Sequence, residues 1–287
     1  MAAVWIRSRR ARRVLVAAAS GFAIAGPFGV RAAPEEDAQA LLVRAWTNLY
    51  AGDFVQVLAL TSRSGTGRVM RRRLQLVRKQ SALPGRALVR FLEPEDIRGT
   101  SLLLLESDEH DDDLFVYLPA VGRARRVSAA QRSDAFFGTN LTYEDLEPKR
   151  ASDYTATFSD RPRGEDCLWL EIRPRPEISS QYEAILSCLE TTRAVLLRSE
   201  YYAHGRLQKV LEGDPRSVRD FGERRLVVRA RLVTPSSGFE TSLEIESYDG
   251  ATAVPDSLFT IPNLEYGDER GDRARAKSGA TPEPAPR

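Results

Sequence analysis

The sequence predicts a mainly β protein with a few helices, built around one large antiparallel sheet. Roughly a dozen short segments alternate apolar and polar residues and are separated by Gly, Pro, Asp and Ser clusters. The connections between them are of hairpin length, and no repeat of fixed period divides the chain. A single stretch near the N-terminus carries helical spacing instead. So many strands in one sheet are expected to curl, which protects the edges and buries one face.

The first residues are expected to stand outside this fold. Residues 1–13 hold five arginines and no acid, and 14–26 form an apolar run of thirteen, short for a bilayer span. Val30, Arg31 and Ala32 then supply a small-x-small cleavage signal. This is the layout of a secretory signal peptide over residues 1–32, with Sec export favoured over the twin-arginine route that Arg12 and Arg13 loosely suggest. No cysteine lies near the cleavage point, so neither a lipid-modified cysteine nor a stable membrane anchor is expected after cleavage. The leader removes six of 42 basic residues and none of 40 acidic ones, leaving 36 against 40 and a net charge of −4. The compositional support for a nucleic-acid partner disappears with it.

In residues 35–50 the apolar positions are Ala38, Leu41, Leu42, Ala45, Trp46 and Leu49, a helical stripe with acids at its start and Gly52 just beyond. Strands are expected over 53–62, 68–79, 86–91, 101–106 and 114–118. A second series follows over 154–158, 167–172, 182–189, 194–202, 206–211, 223–234 and 239–248. Between the two series, residues 128–137 and 142–146 have helical spacing. There Thr142 and Asp145 fit a capping box, with Gly138, Thr139 and Asn140 as the turn feeding it and Pro148 as its stop. A cap leaves Phe136, Phe137, Leu141 and Tyr143 unexplained, because four large apolar side chains crowded on one turn need something to cover. Residues 267–287 are charged, then rich in Pro and Ala, and are expected to be a disordered tail after one domain spanning 33–266.

Cys167 and Cys188 are the only cysteines. In an exported chain they are expected to form a disulfide that pins a hairpin. The segments CLWLEIRP and YEAILSCLE alternate around a polar turn near Glu177 and Ile178. That register sets Cys167 opposite Cys188, Trp169 opposite Leu186, and Leu170 opposite Ile185.

Catalytic chemistry finds little support. His110 sits in ESDEHDDD, which lacks the spacing and glycine of a calcium loop and is read as a solvated hairpin turn. His204 lies in another hairpin turn. There is no Gly-x-Ser-x-Gly elbow, phosphate loop, dinucleotide fingerprint or zinc motif, so no enzyme, metal or cofactor is expected. The runs Arg71-Arg72-Arg73 and Arg123-Ala124-Arg125-Arg126 lie on or beside strands, where side chains alternate faces. They are either a solvated outer face or arginines at the rim of an apolar cavity, able to hold a phosphate or carboxylate.

Five blocks carry a family resemblance. They are residues 91–103 (FLEPEDIRGTSLL), 114–120 (LFVYLPA), 137–146 (FGTNLTYEDL), 201–210 (YYAHGRLQKV) and 259–264 (FTIPNL), with Arg125-Arg126-Val127 between the second and third. In this order they resemble the LolA-like outer membrane lipoprotein-sorting proteins of Gram-negative periplasms, over roughly residues 35–265. The family often carries Asp where this chain has Asn140, a departure with no evident cost. The resemblance implies an unclosed antiparallel β-barrel, covered by an N-terminal helix and a central helical insertion around an apolar hollow. It also implies a periplasmic carrier of lipid or lipoprotein acyl chains, and a possible inner-membrane RND-type exporter as partner. A non-enzymatic accessory subunit of such an exporter is the alternative. On the carrier reading Val89, Phe91, Leu103, Phe115, Tyr117, Trp169 and Leu186 line the hollow. Trp46 and Leu49 close it from the helix, and Phe136, Phe137, Leu141 and Tyr143 form a lid. Arg71, Arg73, Arg125 and Arg126 are the headgroup candidates.

Overall fold

The structure, a computed structural model, describes residues 37–81, 84–108, 112–162 and 167–267. The expected leader, His110, and the expected tail beyond Gly267 lie outside these residues.

The chain begins with helix α1 (Ala38–Tyr50). Asp37 accepts a hydrogen bond from the Ala40 amide at 2.6 Å, so the helix starts at Ala38 rather than at residue 35. Its buried stripe of Ala38, Leu41, Leu42, Ala45 and Trp46 is the one its spacing predicts. A first run of strands follows: β1 (Phe54–Arg63), β2 (Val69–Lys79), β3 (Arg86–Glu93), β4 (Ser101–Leu105), β5 (Asp113–Leu118) and β6 (Arg123–Arg126). The second run is β7 (Tyr154–Phe158), β8 (Leu168–Pro174), β9 (Ala184–Glu190), β10 (Val195–Ala203) and β11 (Arg206–Gly213). A small hairpin, β12 (Val218–Phe221) and β13 (Arg224–Val227), then precedes β14 (Arg229–Thr234) and β15 (Phe239–Asp249). The sequence gives no sign of β12, β6 is the arginine run read only as lying on or beside a strand, and the strand expected over 223–234 is broken at Val228. Residues 261–267 are helical. No helix among the described residues is long and apolar enough to cross a membrane.

Thirteen strands form one sheet in the order β6-β5-β4-β3-β2-β1-β15-β14-β11-β10-β9-β8-β7, while β12 and β13 pair only with each other. Every pairing is antiparallel, and the sheet is not closed into a barrel. Each half is a meander, and the halves join where β1 pairs with β15. The two edges, β6 and β7, are consecutive in the chain. The segment between them therefore has to pass from one edge of the sheet to the other.

That crossing organises the inner face. Leu60, Leu74, Val89, Phe91, Leu102, Leu104, Leu114 and Val116 pack there against Phe136 and Tyr143 of the crossing segment. On the other half of the same face, α1 packs on Tyr154, Leu170, Ile172, Tyr182, Ile185 and Leu189. The outer face of the first half has its own cover, because Val77, Leu88 and Leu103 pack against Val254, Phe259 and Leu264 from beyond β15.

The crossing segment is less helical than its spacing predicts. Within it only Ala129–Gln131, Glu144–Leu146 and Ala151–Asp153 form single 3-10 turns. Its centre is a small turn closed by an isolated bridge between Ala135 and Thr142. Phe137 (φ 43) and Gly138 (φ 67) are both left-handed, a backbone conformation that favours glycine at 138, where an added Cβ would also displace the end of the Arg72 side chain. The expected capping box is half formed. Asp145 accepts from the Thr142 amide at 2.8 Å, but the Thr142 hydroxyl accepts from Gln181 instead of capping.

Cys167 and Cys188 form a disulfide with Cα atoms 5.5 Å apart. The hairpin register differs from the expected one by two residues: Trp169 faces Cys188, Leu170 faces Ser187 and Glu171 faces Leu186. A slip of two keeps the same residues together on one face, because the period of a strand is two.

Candidate functional site

Four elements border a cavity of about 350 Å³. The floor is the inner face of the central strands, contributing Leu58, Leu76, Ala87, Leu211, Leu232, Leu243 and Ile245. The helix supplies Ala45, Trp46, Leu49 and Tyr50, and the crossing segment supplies Leu141, Leu146, Pro148 and Lys149. The β12–β13 hairpin closes the remaining side through Leu226 and Val227. It is tied to α1 by Asn48, whose amide donates to Arg225 O at 2.6 Å and whose carbonyl accepts from Arg225 N at 2.7 Å.

The structure sorts the sequence candidates into three groups. Trp46, Leu49 and Leu141 line the cavity. Val89, Phe91, Phe136, Phe137 and Tyr143 share the inner face but pack against one another beside it. Phe136 has no exposed surface and stacks on Phe91 at 5.4 Å between ring centroids, so the expected lid is a plug of the first half-sheet. Leu103, Phe115 and Tyr117 belong to the outer face, beneath Phe259 and Leu264. Trp169 and Leu186 also point outward, since they alternate with the buried inner residues Leu170 and Ile185. Trp169 lies under the Arg161 guanidinium, 4.7 Å from its ring centroid.

None of the four candidate arginines lines the cavity. Arg71 and Arg73 take the outer face of β2, and Arg73 pairs with Glu246 at 2.6 Å. Arg126 pairs with Asp113, and Arg125 is exposed on the edge strand β6. Two other arginines reach the cavity, Arg225 from the β12–β13 hairpin and Arg78 from β2, and Arg78 is the buried one. Strand alternation carries a signal for it, because Arg78 continues the inner series Leu74, Leu76 on β2. Only 3% of its side chain is exposed. Its Nη2 donates to Gln80 Oε1 at 3.2 Å and to the buried carboxylate of Glu106. Glu106 also accepts from the Gly85 amide at 3.2 Å. The turn expected at His110 lies outside the described residues; of its flanks, Asp112 pairs with Arg150 and Asp113 with Arg126.

Around the helix end of the cavity stand Tyr50 and Tyr201, both raised above the usual phenol range by burial. Their hydroxyls stay protonated. Asp145, at the base of the crossing segment, is held by Lys209 at 2.6 Å and by the Tyr182 hydroxyl at 2.8 Å. No group of three or more metal-ligating side chains occurs among the described residues. The arrangement suits binding of an apolar molecule, with a few polar groups at one end.

A family model described as "uncharacterized protein" matches residues 85–266. No curated protein matches the sequence. Among solved structures, a DUF1329 family protein from Desulfovibrio piger superposes with a TM-score of 0.72 at 24% identity, over 79% of this chain and 97% of that one. A domain named for outer membrane lipoprotein sorting, from Vibrio parahaemolyticus, gives 0.71 at 20% identity, over 79% and 98%. A LolA superfamily protein from Nitrosomonas europaea gives 0.62 at 21%, over 78% and 97%.

Proposed function

We infer from two facts, that the chain belongs to the family matched over residues 85–266 and that its fold is LolA-like, that it is a carrier of acyl chains. The cargo is a lipid or lipoprotein, taken up after export and carried through the periplasm towards the outer membrane. One observation carries this reading: the cavity between the inner face, α1, the crossing segment and the β12–β13 hairpin is left unfilled by the protein's own side chains. Folded interiors are close-packed, with few voids larger than a water molecule. Two acyl chains of about fifteen methylenes each cost on the order of 20 kcal/mol to expose to water, so a carrier has to replace most of that contact.

The cavity lies at the small end of the range of ligand pockets, about 300–1,000 Å³. A cargo larger than the cavity requires the helix or the β12–β13 hairpin to move off the sheet. Asn48 makes the hairpin's principal contact with α1, so that contact is where opening begins.

Lipid extraction and mass spectrometry of protein purified from the periplasm, with titration of a fluorescent fatty acid, tests the reading. Saturable uptake or co-purified lipid is the expected result. A lipid-free protein that takes up no probe would leave the accessory-subunit alternative in its place.

A further inference from the structure

We propose that the cavity takes an anionic amphiphile headgroup-first, with Arg78 as the residue that receives its carboxylate or phosphate oxygens. This rests on the carrier reading and narrows it to a class of cargo. Arg78 enters from the inner face of β2 and is nearly devoid of exposed surface. Nη2 is committed to Gln80 and Glu106, but Nε and Nη1 are buried with no hydrogen-bond partner among the described residues. Buried N–H groups of a charged side chain are costly to leave unpaired, and a ligand oxygen in the cavity is the partner they lack.

The surrounding charges favour an anion over a neutral acceptor. Lys149 lines the same cavity from the crossing segment, and Arg225, paired with Asp220 at 3.3 Å, lines it from the β12–β13 hairpin. The three nearby acids are all hydrogen-bonded, and Glu144, which faces Lys149, accepts from the Ser180 hydroxyl and the Gln181 amide. Glu106 is held by Arg78 and the Gly85 amide, with Arg150 4.0 Å away. Asp145 is held by Lys209, the Tyr182 hydroxyl and the Thr142 amide. In an apolar cavity Lys149 attracts an anionic headgroup more strongly than it would at the surface, while Arg78, whose charge Glu106 balances, offers its two unpaired N–H groups. The remaining lining, with Leu58, Leu76, Leu146 and Ile245, suits a hydrocarbon chain. Esterified acyl chains carry no such charge, so a cargo held only by its neutral chains would leave Nε and Nη1 unused.

Calorimetric titration of the wild-type protein with palmitate, methyl palmitate, phosphatidate in vesicles and inorganic phosphate separates the possibilities. The acid is expected to bind at least about tenfold tighter than its methyl ester, the ratio one charge-assisted hydrogen bond supplies. Arg78→Met is expected to abolish that preference, so that acid and ester bind alike, and Arg78→Lys to restore part of it. Lys149→Met should reduce the preference without removing it. Binding of palmitate or phosphatidate without binding of inorganic phosphate assigns the anion to a lipid. Tight inorganic phosphate binding with no palmitate binding would overturn the amphiphile. Equal affinity for acid and ester in the wild type would overturn the role of Arg78 and leave the carrier standing, and no binding of any probe would overturn both. The acid–ester comparison uses no variant, so it holds even if Arg78→Met fails to fold.

Discussion

Asn140 donates through one amide nitrogen to the Leu232 carbonyl at 3.0 Å, the Thr234 hydroxyl at 3.2 Å and the Phe239 carbonyl at 3.2 Å. It thereby ties the crossing segment to β14 and the start of β15. A carboxylate in the same place has no proton to give and faces two carbonyl oxygens. Asn is the fitting residue in this geometry, in keeping with a departure from Asp that carries no evident cost. Asn140→Asp should destabilise the protein by about 2 kcal/mol or more, read as a lower urea midpoint at unchanged m. Glu147 answers to pH instead. Burial pushes its carboxyl up to about 7 from an ordinary 4.5, although Arg132 sits 3.2 Å away and pulls it down. Between those two values the folded state keeps a proton that the unfolded chain has released. Stability should therefore fall as pH rises from 4.5 to 7, by up to about 3 kcal/mol, and Glu147→Gln should flatten that slope. Glu200 works in the opposite direction. Despite its burial, Arg161, Tyr202 and Arg198 hold it at about 2, so its contribution is present above 4.5 and is lost as pH falls towards 2.

Among the elements, the β12–β13 hairpin is the least embedded wall of the cavity, since it pairs with no strand of the main sheet. Its hold on α1 passes through Asn48, which also donates to Ala194 O at 3.2 Å, and through Arg224, which donates to Asn48 O at 3.0 Å and to the Leu49 carbonyl. Asn48→Ala removes three of these bonds and leaves the main sheet untouched. Hydrogen exchange should then quicken in residues 218–227, with a global loss of only about 1–2 kcal/mol. Faster uptake of a fluorescent fatty acid by this variant would mark the hairpin as the door, and an unchanged rate would place the opening elsewhere. The β8–β9 hairpin contrasts with it, being both embedded in the sheet and closed by the disulfide.

At the scale of the whole molecule, two meanders meet at β1 and β15 while the crossing segment bridges their outer edges. The two halves of the inner face are filled differently, one by aromatic side chains of the crossing segment and the other by α1. The cavity is what remains between the two fillings. Ala230 sits on its floor, opposite Leu243 in the β14–β15 pairing. Ala230→Phe should fill part of the space, lower fatty-acid uptake roughly tenfold or more, and change stability by no more than about 1–3 kcal/mol. An unchanged affinity would mean that the chain binds on another surface.

Local pattern was enough to read α1, most strands, the β8–β9 hairpin with its disulfide, and the importance of Phe136 to Tyr143. Those features depend on periods of 3.6 and 2 and on contacts near in sequence. Period alone could not say which face of a strand is inner. In β4, Ser101 to Leu104 are all buried, because both faces are covered, so Leu103 showed no polar contrast with Leu102. The outer cover comes from residues 254–264, far along the chain, and this is why Leu103, Phe115 and Tyr117 were assigned inward. Arg78 shows the same limit. Its alternation with Leu74 and Leu76 was visible in the sequence, but its burial against Glu106 and the gap in front of it exist only once α1 and the crossing segment have closed over the sheet.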